Sequence, residues 1–185
     1  MFACEQAGIS PDILCISKGL TGGYLPMSVT CVSEEIYDAF YADYSEGRAF
    51  MHSHTYAGNP LGCAAALAVQ KIFRQQHILE TAGKNATWLT AEMEKAFGGH
   101  QNVGEIRHIG LIHAIELVKN RDNKEPLAAT ARTGYAIYKQ ALQYGLVLRP
   151  LGDVLYFNPP LNITRDELTL AIEMAQRAIV DVLGE

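Results

Sequence analysis

A chain of 185 residues that is 49% hydrophobic and 19% charged is long enough to bury a core and too apolar to be disordered. Its formal charge of −5 comes without a Lys/Arg run or interleaved basic and aromatic residues, which excludes a nucleic-acid footprint and leaves small molecules as the expected ligands. No apolar run approaches the ~20 residues of a membrane span and the first residues lack a signal-peptide pattern, so a cytoplasmic protein with no membrane association is expected. Cys4, Cys15, Cys31 and Cys63 show no metal-ligand spacing and read as free, buried thiols.

In chain order, Ile13 to Ser17 reads as a buried strand with almost no lead-in and no partner strand before it, so Met1 reads as an internal methionine of something longer. Lys18 follows at once, with Gly19 after it and Gly22-Gly23 beyond, so the backbone must turn sharply and present the lysine. Met27 to Val32 alternates as a half-buried strand, which makes a hairpin-like pair around the lysine turn. Ser33 offers an N-cap oxygen to a short helix with Glu34 and Glu35 in its first turn and Ile36, Tyr37 and Phe40 as its apolar stripe, fading around Asp43 to Gly47. Asn59-Pro60 starts the next helix, in which Gly62 to Ala66 allow close approach of a neighbouring backbone.

A further helix runs from Ile78 to Phe97 and stops at Gly98-Gly99; the domain boundary is expected within it, dividing the chain into 1–80 and 81–185. Val103 to Val118 predicts two strands bent at Gly110, and Ala128 to Tyr144 a helix closed by Gly145. Short strands follow at Leu146 to Pro150 and Val154 to Phe157, and Thr164-Arg-Asp-Glu167 is a capping box opening a final amphipathic helix. The second part is therefore a small α/β layer.

Six residues are candidates for chemistry. Lys18 is either a surface charge ending a strand or a nucleophile whose ammonium is disfavoured by apolar neighbours such as Ile16 and Leu20. Thr55, ahead of a helix start, suits either a phosphate or a plain capping loop. Arg149 offers a planar fork for a carboxylate, with Tyr156 on the next strand; the alternative is a structural ion pair and a core tyrosine. His52 and His54 have the spacing of a metal pair on an extended segment, but no third ligand is in sight and no metal is expected.

Taken together, Ser17-Lys18-Gly-Leu-Thr-Gly-Gly23 after Ser10-Pro-Asp12, the block His54-Thr-Tyr-Ala-Gly-Asn-Pro60, and Leu148-Arg-Pro-Leu-Gly152 closely resemble the class III pyridoxal-phosphate aminotransferases over essentially the whole chain. The resemblance implies an α/β, fold-type I PLP-dependent transferase, of which 1–80 would be the end of the cofactor-binding large domain and 81–185 the C-terminal small domain. It implies that Lys18 holds pyridoxal 5′-phosphate and shuttles a proton, that Thr55 reaches the cofactor phosphate across a homodimer interface, and that Arg149 pairs with the substrate carboxylate, with Tyr156 in the pocket.

Met1 to Asp12 and Lys18 to Pro26 are most similar to the biotin-synthesis branch, implying amino transfer from S-adenosylmethionine to 8-amino-7-oxononanoate to give 7,8-diaminononanoate; some relatives use lysine as donor. The alternatives are another ω-amino-acid:pyruvate aminotransferase and a non-catalytic α/β dimerisation or binding module. The family's phosphate loop, ring-stacking aromatic and ring-nitrogen aspartate correspond to positions before Met1, so the isolated chain is expected to be inactive.

Overall fold

The computed structural model describes residues 1–184. The chain forms two compact units, Met1–His77 and Ile78–Glu185.

The first unit begins with α1 (Ala3–Ala7), closed by Gly8, followed by β1 (Ile13–Ile16) and β2 (Val29–Val32). These strands pair antiparallel, Ile13 opposite Val32 and Ile16 opposite Val29, so the lysine turn lies between two hydrogen-bonded strands as its flanking sequences predict. Helix α2 (Glu34–Phe40) and helix α3 (Pro60–Gln75) complete the unit. Asn59 caps α3 by accepting the Leu61 N–H at 3.1 Å, and proline at the first helical position loses no hydrogen bond there.

Three expectations for this unit need correction. The strand at Ile13 is not buried: Ile13 is 56% exposed, β1 has only β2 beside it, and its residues alternate between exposed and half-buried. Ser33 stands at the N-cap of α2, but its hydroxyl makes no capping bond. The thiols are free yet none is buried; Cys15 and Cys31 lie on the exposed two-stranded sheet, and Cys4 and Cys63 are half-buried.

The second unit contains α4 (Ile78–Phe97), β3 (Val103–Ile109), β4 (Ile112–Leu117), α5 (Thr133–Gln143), β5 (Arg149–Leu151), β6 (Val154–Phe157) and α6 (Arg165–Leu183). Its sheet has the order β3-β4-β6-β5, antiparallel throughout. Alternate residues of β4 and β6 are buried, and Ile115, Leu117, Leu155 and Phe157 form one core with Leu89, Met93 and Phe97 of α4, Ile137 and Ala141 of α5, and Leu168, Ile172, Ala175 and Ile179 of α6. One sheet face is thus covered by helices, as the period-2 and period-3.6 patterns require of a two-layer unit.

Thr164 and Glu167 form the expected capping box: Glu167 N–H donates to Thr164 Oγ1 at 3.3 Å, and Thr164 N–H donates to Glu167 Oε2 at 2.9 Å. That backbone bond, with the Thr164 hydroxyl, holds the Glu167 carboxyl below its ordinary pKa. Asn85 of α4, buried, donates to the Ile163 carbonyl at 3.0 Å and accepts from Arg165 Nε at 3.2 Å, tying α4 to the start of α6.

Two boundaries differ from the sequence reading. The expected Ala128–Tyr144 helix is broken: a 3-10 turn at Ala129–Ala131 ends at Arg132, whose φ of 49° is left-handed, and α5 proper starts at Thr133. The strand expected over Leu146 to Pro150 is shifted and shortened to Arg149–Leu151, since Leu148 turns into the core and Pro150 has no N–H to donate.

His113 on β4 is fully buried, its Nε2 3.0 Å from Thr90 Oγ1 and its ring stacked at 5.2 Å on His108 of β3. Burial lowers its pKa, and the neighbouring His108 adds to the shift, against a backbone contact to Leu111 that opposes it. The unfolded chain takes up a proton at the ordinary histidine value, about 6.5, which the folded side chain still refuses. The contribution of His113 to stability is therefore intact above that value and is lost as pH falls from it towards the lower folded value. The urea midpoint of the second unit should be lower near pH ~5 than near pH ~7.5, and the difference should shrink in His113→Gln. An unchanged pH difference in that variant would assign it to other groups.

Candidate functional site

In the first unit the site is built around a backbone turn. Ser17 is extended, Lys18 has φ 51°, and a 3-10 turn over Lys18–Thr21 is closed by Leu20 N–H to the Ser17 carbonyl and Gly22 N–H to the Gly19 carbonyl, each at 3.1 Å. A left-handed lysine is uncommon and disfavoured by roughly 1–2 kcal/mol, so its neighbours must hold it. Thr21, 1% exposed and the most deeply buried side chain of this unit, donates its hydroxyl to the Leu25 carbonyl at 2.5 Å, and Tyr24 N–H donates to the Thr21 carbonyl at 3.2 Å. These bonds pin the loop that carries Gly22 and Gly23, both at positive φ.

Helix α3 supplies the floor. A Cβ at Gly62 would stand 3.3 Å from Met27 Sδ, so the small-residue start of α3 lets the segment entering β2 lie directly on the helix. The result is an open cavity of about 900 Å³, lined among others by Ser17, Lys18, Ser28, His54, Tyr56 and Asn59. That size is within the range of small-molecule sites.

Of the candidate residues, Lys18 and His54 line this cavity. Thr55 does not: it is exposed in the turn before α3, where Ala57 N–H reaches the His54 carbonyl at 2.8 Å, although both its neighbours line the wall. His54 Nδ1 accepts the Tyr56 N–H at 3.1 Å and His52 stacks on Phe50 at 5.6 Å. No group of three or more His, Cys, Asp or Glu among the described residues is placed to hold a metal.

Arg149 and Tyr156 belong to the second unit, where they are direct partners across β5 and β6 and so share one sheet face. Ala114 and Arg107 continue the same row, on the face opposite the helices. Arg107 is neutralised by Glu116 and, at 3.4 Å, by Glu105. Arg149 is exposed and forms no ion pair among the described residues, and Tyr156 is half-buried and not part of the core. Sequence reasoning did not single out Thr21 or Asp153. The available signals were a threonine inside a glycine-rich turn and a Gly-Asp turn between two short strands.

Thr21→Val should lower the stability of the first unit by about 1 kcal/mol, since the Leu25 carbonyl loses its donor. Hydrogen exchange at the Tyr24 amide should quicken in that variant but not in Thr21→Ser. Equal exchange in the two variants would rule out the hydroxyl as the pin.

The family model described as aminotransferase class-III matches residues 1–179. The adenosylmethionine-8-amino-7-oxononanoate aminotransferase of Anoxybacillus flavithermus is 44% identical over 180 residues, covering 97% of this chain and 39% of that protein. The crystal structure of the enzyme of the same name from Methanocaldococcus jannaschii superposes with a TM-score of 0.89 at 36% identity, covering 99% of this chain and 42% of that one. An amine transaminase from an uncultivated Pseudomonas species, solved in its PLP-bound form, gives a TM-score of 0.87 at 34% identity, covering 98% of this chain and 41% of that one. The chain spans about two-fifths of the length of these relatives.

Proposed function

This chain belongs to the class III aminotransferases, with the α/β architecture of fold-type I, and on that premise we propose that Lys18 is the covalent anchor for pyridoxal 5′-phosphate and the base and acid of an amino transfer. The observation that carries the reading is a lysine held at left-handed φ on the wall of a roughly 900 Å³ cavity, between a strand end and a glycine turn. The residues around the cavity fit the cofactor: Ser17, Ser28, Tyr56 and a single lysine, Lys18, line one space. When bound, pyridoxal phosphate acts as an electron sink that makes the hydrogen on the amine-bearing carbon of the substrate acidic. Lys18 Nζ would take that proton from the substrate carbon and deliver it to the cofactor carbon bonded to the same nitrogen, so one amine would act first as base and then as acid.

Thr55, off the wall of its own unit's cavity, is proposed to complete the phosphate site of a second subunit, which makes the working form a homodimer. Arg149, with no ion pair among the described residues and beside Tyr156, receives the substrate carboxylate. In domain terms, 1–80 is the end of the cofactor-binding domain and 81–185 the small domain. The substrate reading is amino transfer from S-adenosylmethionine to 8-amino-7-oxononanoate, supported by the names of the relatives at 36–44% identity. A cytoplasmic location belongs to the same proposal; no described helix is long and apolar enough to cross a membrane.

Incubation with pyridoxal phosphate, borohydride reduction and peptide mapping should place the label on Lys18, and Lys18→Ala should lose both the label and the visible absorbance band. A reducible band that survives in Lys18→Ala would remove Lys18 from the role. In the protein expressed from its complete reading frame, Arg149→Ala should raise KM for 8-amino-7-oxononanoate roughly tenfold or more and leave the cofactor spectrum in place. Turnover of pyruvate but not of 8-amino-7-oxononanoate would move the substrate to the ω-amino-acid branch.

A further inference from the structure

Strand β5 is a weak mount for a binding arginine. It has three residues, lies at the sheet edge and contains a proline, so its only strand partner is β6, through a shortened ladder. The Gly152-Asp153 turn that follows is held much more firmly. Asp153 Oδ1 accepts the Gly134 N–H at 3.1 Å, and the Asp153 carbonyl accepts the Leu117 N–H at 2.9 Å. One residue thus links the first turn of α5, the end of β4 and the β5–β6 hairpin.

The first of these links fills a vacancy in the helix. Arg132, at the N-cap of α5, is left-handed and its side chain makes no capping bond, so the first N–H groups of α5 depend on a partner from elsewhere. Asp153 supplies it from a sequence distance of 19 residues, and its carboxylate stands where the helix dipole favours negative charge. Contact at this point is closed by glycine: a Cβ on buried Gly134 would overlap the Gly152 carbonyl oxygen and press on Pro150 at 3.3 Å. The missing side chain at Gly134 lets the helix start and the turn approach closely enough for the Asp153 carboxylate to reach the Gly134 N–H.

We infer that Asp153 is the positioning residue for Arg149: by capping α5 it fixes the β5–β6 hairpin and with it the place of the guanidinium. The inference rests on the reading of Arg149 as the carboxylate-binding residue. With the cap removed, the hairpin samples positions in which the fork misses its target, and the apparent affinity falls by the fraction of time spent there. The loss falls on carboxylate binding and spares the chemistry at Lys18.

The test uses the protein expressed from its complete reading frame, with 8-amino-7-oxononanoate and its carboxamide as paired acceptors. Asp153→Ala should raise KM for the carboxylate roughly fivefold, the size expected of a lost cap, with kcat within about a factor of two and little change for the carboxamide. Asp153→Asn keeps the acceptor oxygen and should restore the native KM. Asp153→Glu, which keeps the charge but lengthens the tether by a methylene, should behave like the alanine variant and retains a folded protein if alanine does not. The Gly134 amide should exchange faster in Asp153→Ala.

Equal KM changes for the two acceptors, a fall in kcat at constant KM, or an asparagine variant as impaired as alanine would each overturn the role. If Arg149→Ala leaves KM for the carboxylate unchanged, the assignment of Arg149 fails and this inference with it. A normal Arg149→Ala effect with a silent Asp153→Ala sinks this inference alone.

Discussion

The left-handed backbone at Lys18 is the constraint from which the arrangement of the first unit follows. A residue with a Cβ resists that conformation, so the turn persists only because neighbouring groups over-determine it. The Thr21 hydroxyl closes the loop on one side, two glycines at positive φ let the chain leave it, and the small start of α3 lets Met27 settle against the helix. These contacts leave the lysine on the wall of a cavity instead of lying along a strand. The unit invests its few well-buried groups here: Thr21, Gly62 and Ala66 are its buried residues among those described.

The second unit follows a different logic. Three helices cover one face of a four-stranded antiparallel sheet, and among the described residues the buried side chains of this unit are apolar apart from His113, Thr133 and the Asn85 tie. The opposite face carries the row Arg149, Tyr156, Ala114 and Arg107, in which Arg107 is matched by carboxylates and Arg149 has none among the described residues. The Arg149 guanidinium is exposed with no ionic partner among the described residues, and the turn after its strand is tied to the start of α5 by the Gly134 N–H to Asp153 bond; these two observations support the proposal that it receives a carboxylate.

Local chemistry was the part of this fold most legible in the sequence. Asn59-Pro60 and Thr164 to Glu167 mark helix starts because capping acts within four residues, and both appear where the spacing puts them. Gly110 and Gly145 mark turns for the same reason. The errors fall where a distant group decides. The break at Arg132 was invisible because the α5 start is capped from Asp153. The placement of β5 depended on Leu148 being drawn into the core. Ile13 to Ile16 has the composition of a buried strand, yet composition does not state what lies against it.

The sequence by itself determined the family, through motifs whose residues are close together along the chain, and it determined that Lys18 is presented at a turn between two strands. Tertiary structure alone decided which groups share a space: Lys18 with His54 and Tyr56 on one cavity, Thr55 off that wall, Arg149 opposite Tyr156 in one row, and Asp153 on the N-terminus of a helix that begins 20 residues earlier. The physical reason is range. Turn geometry and capping are set by neighbours a few residues away, whereas register, burial and remote caps depend on residues that only folding brings together.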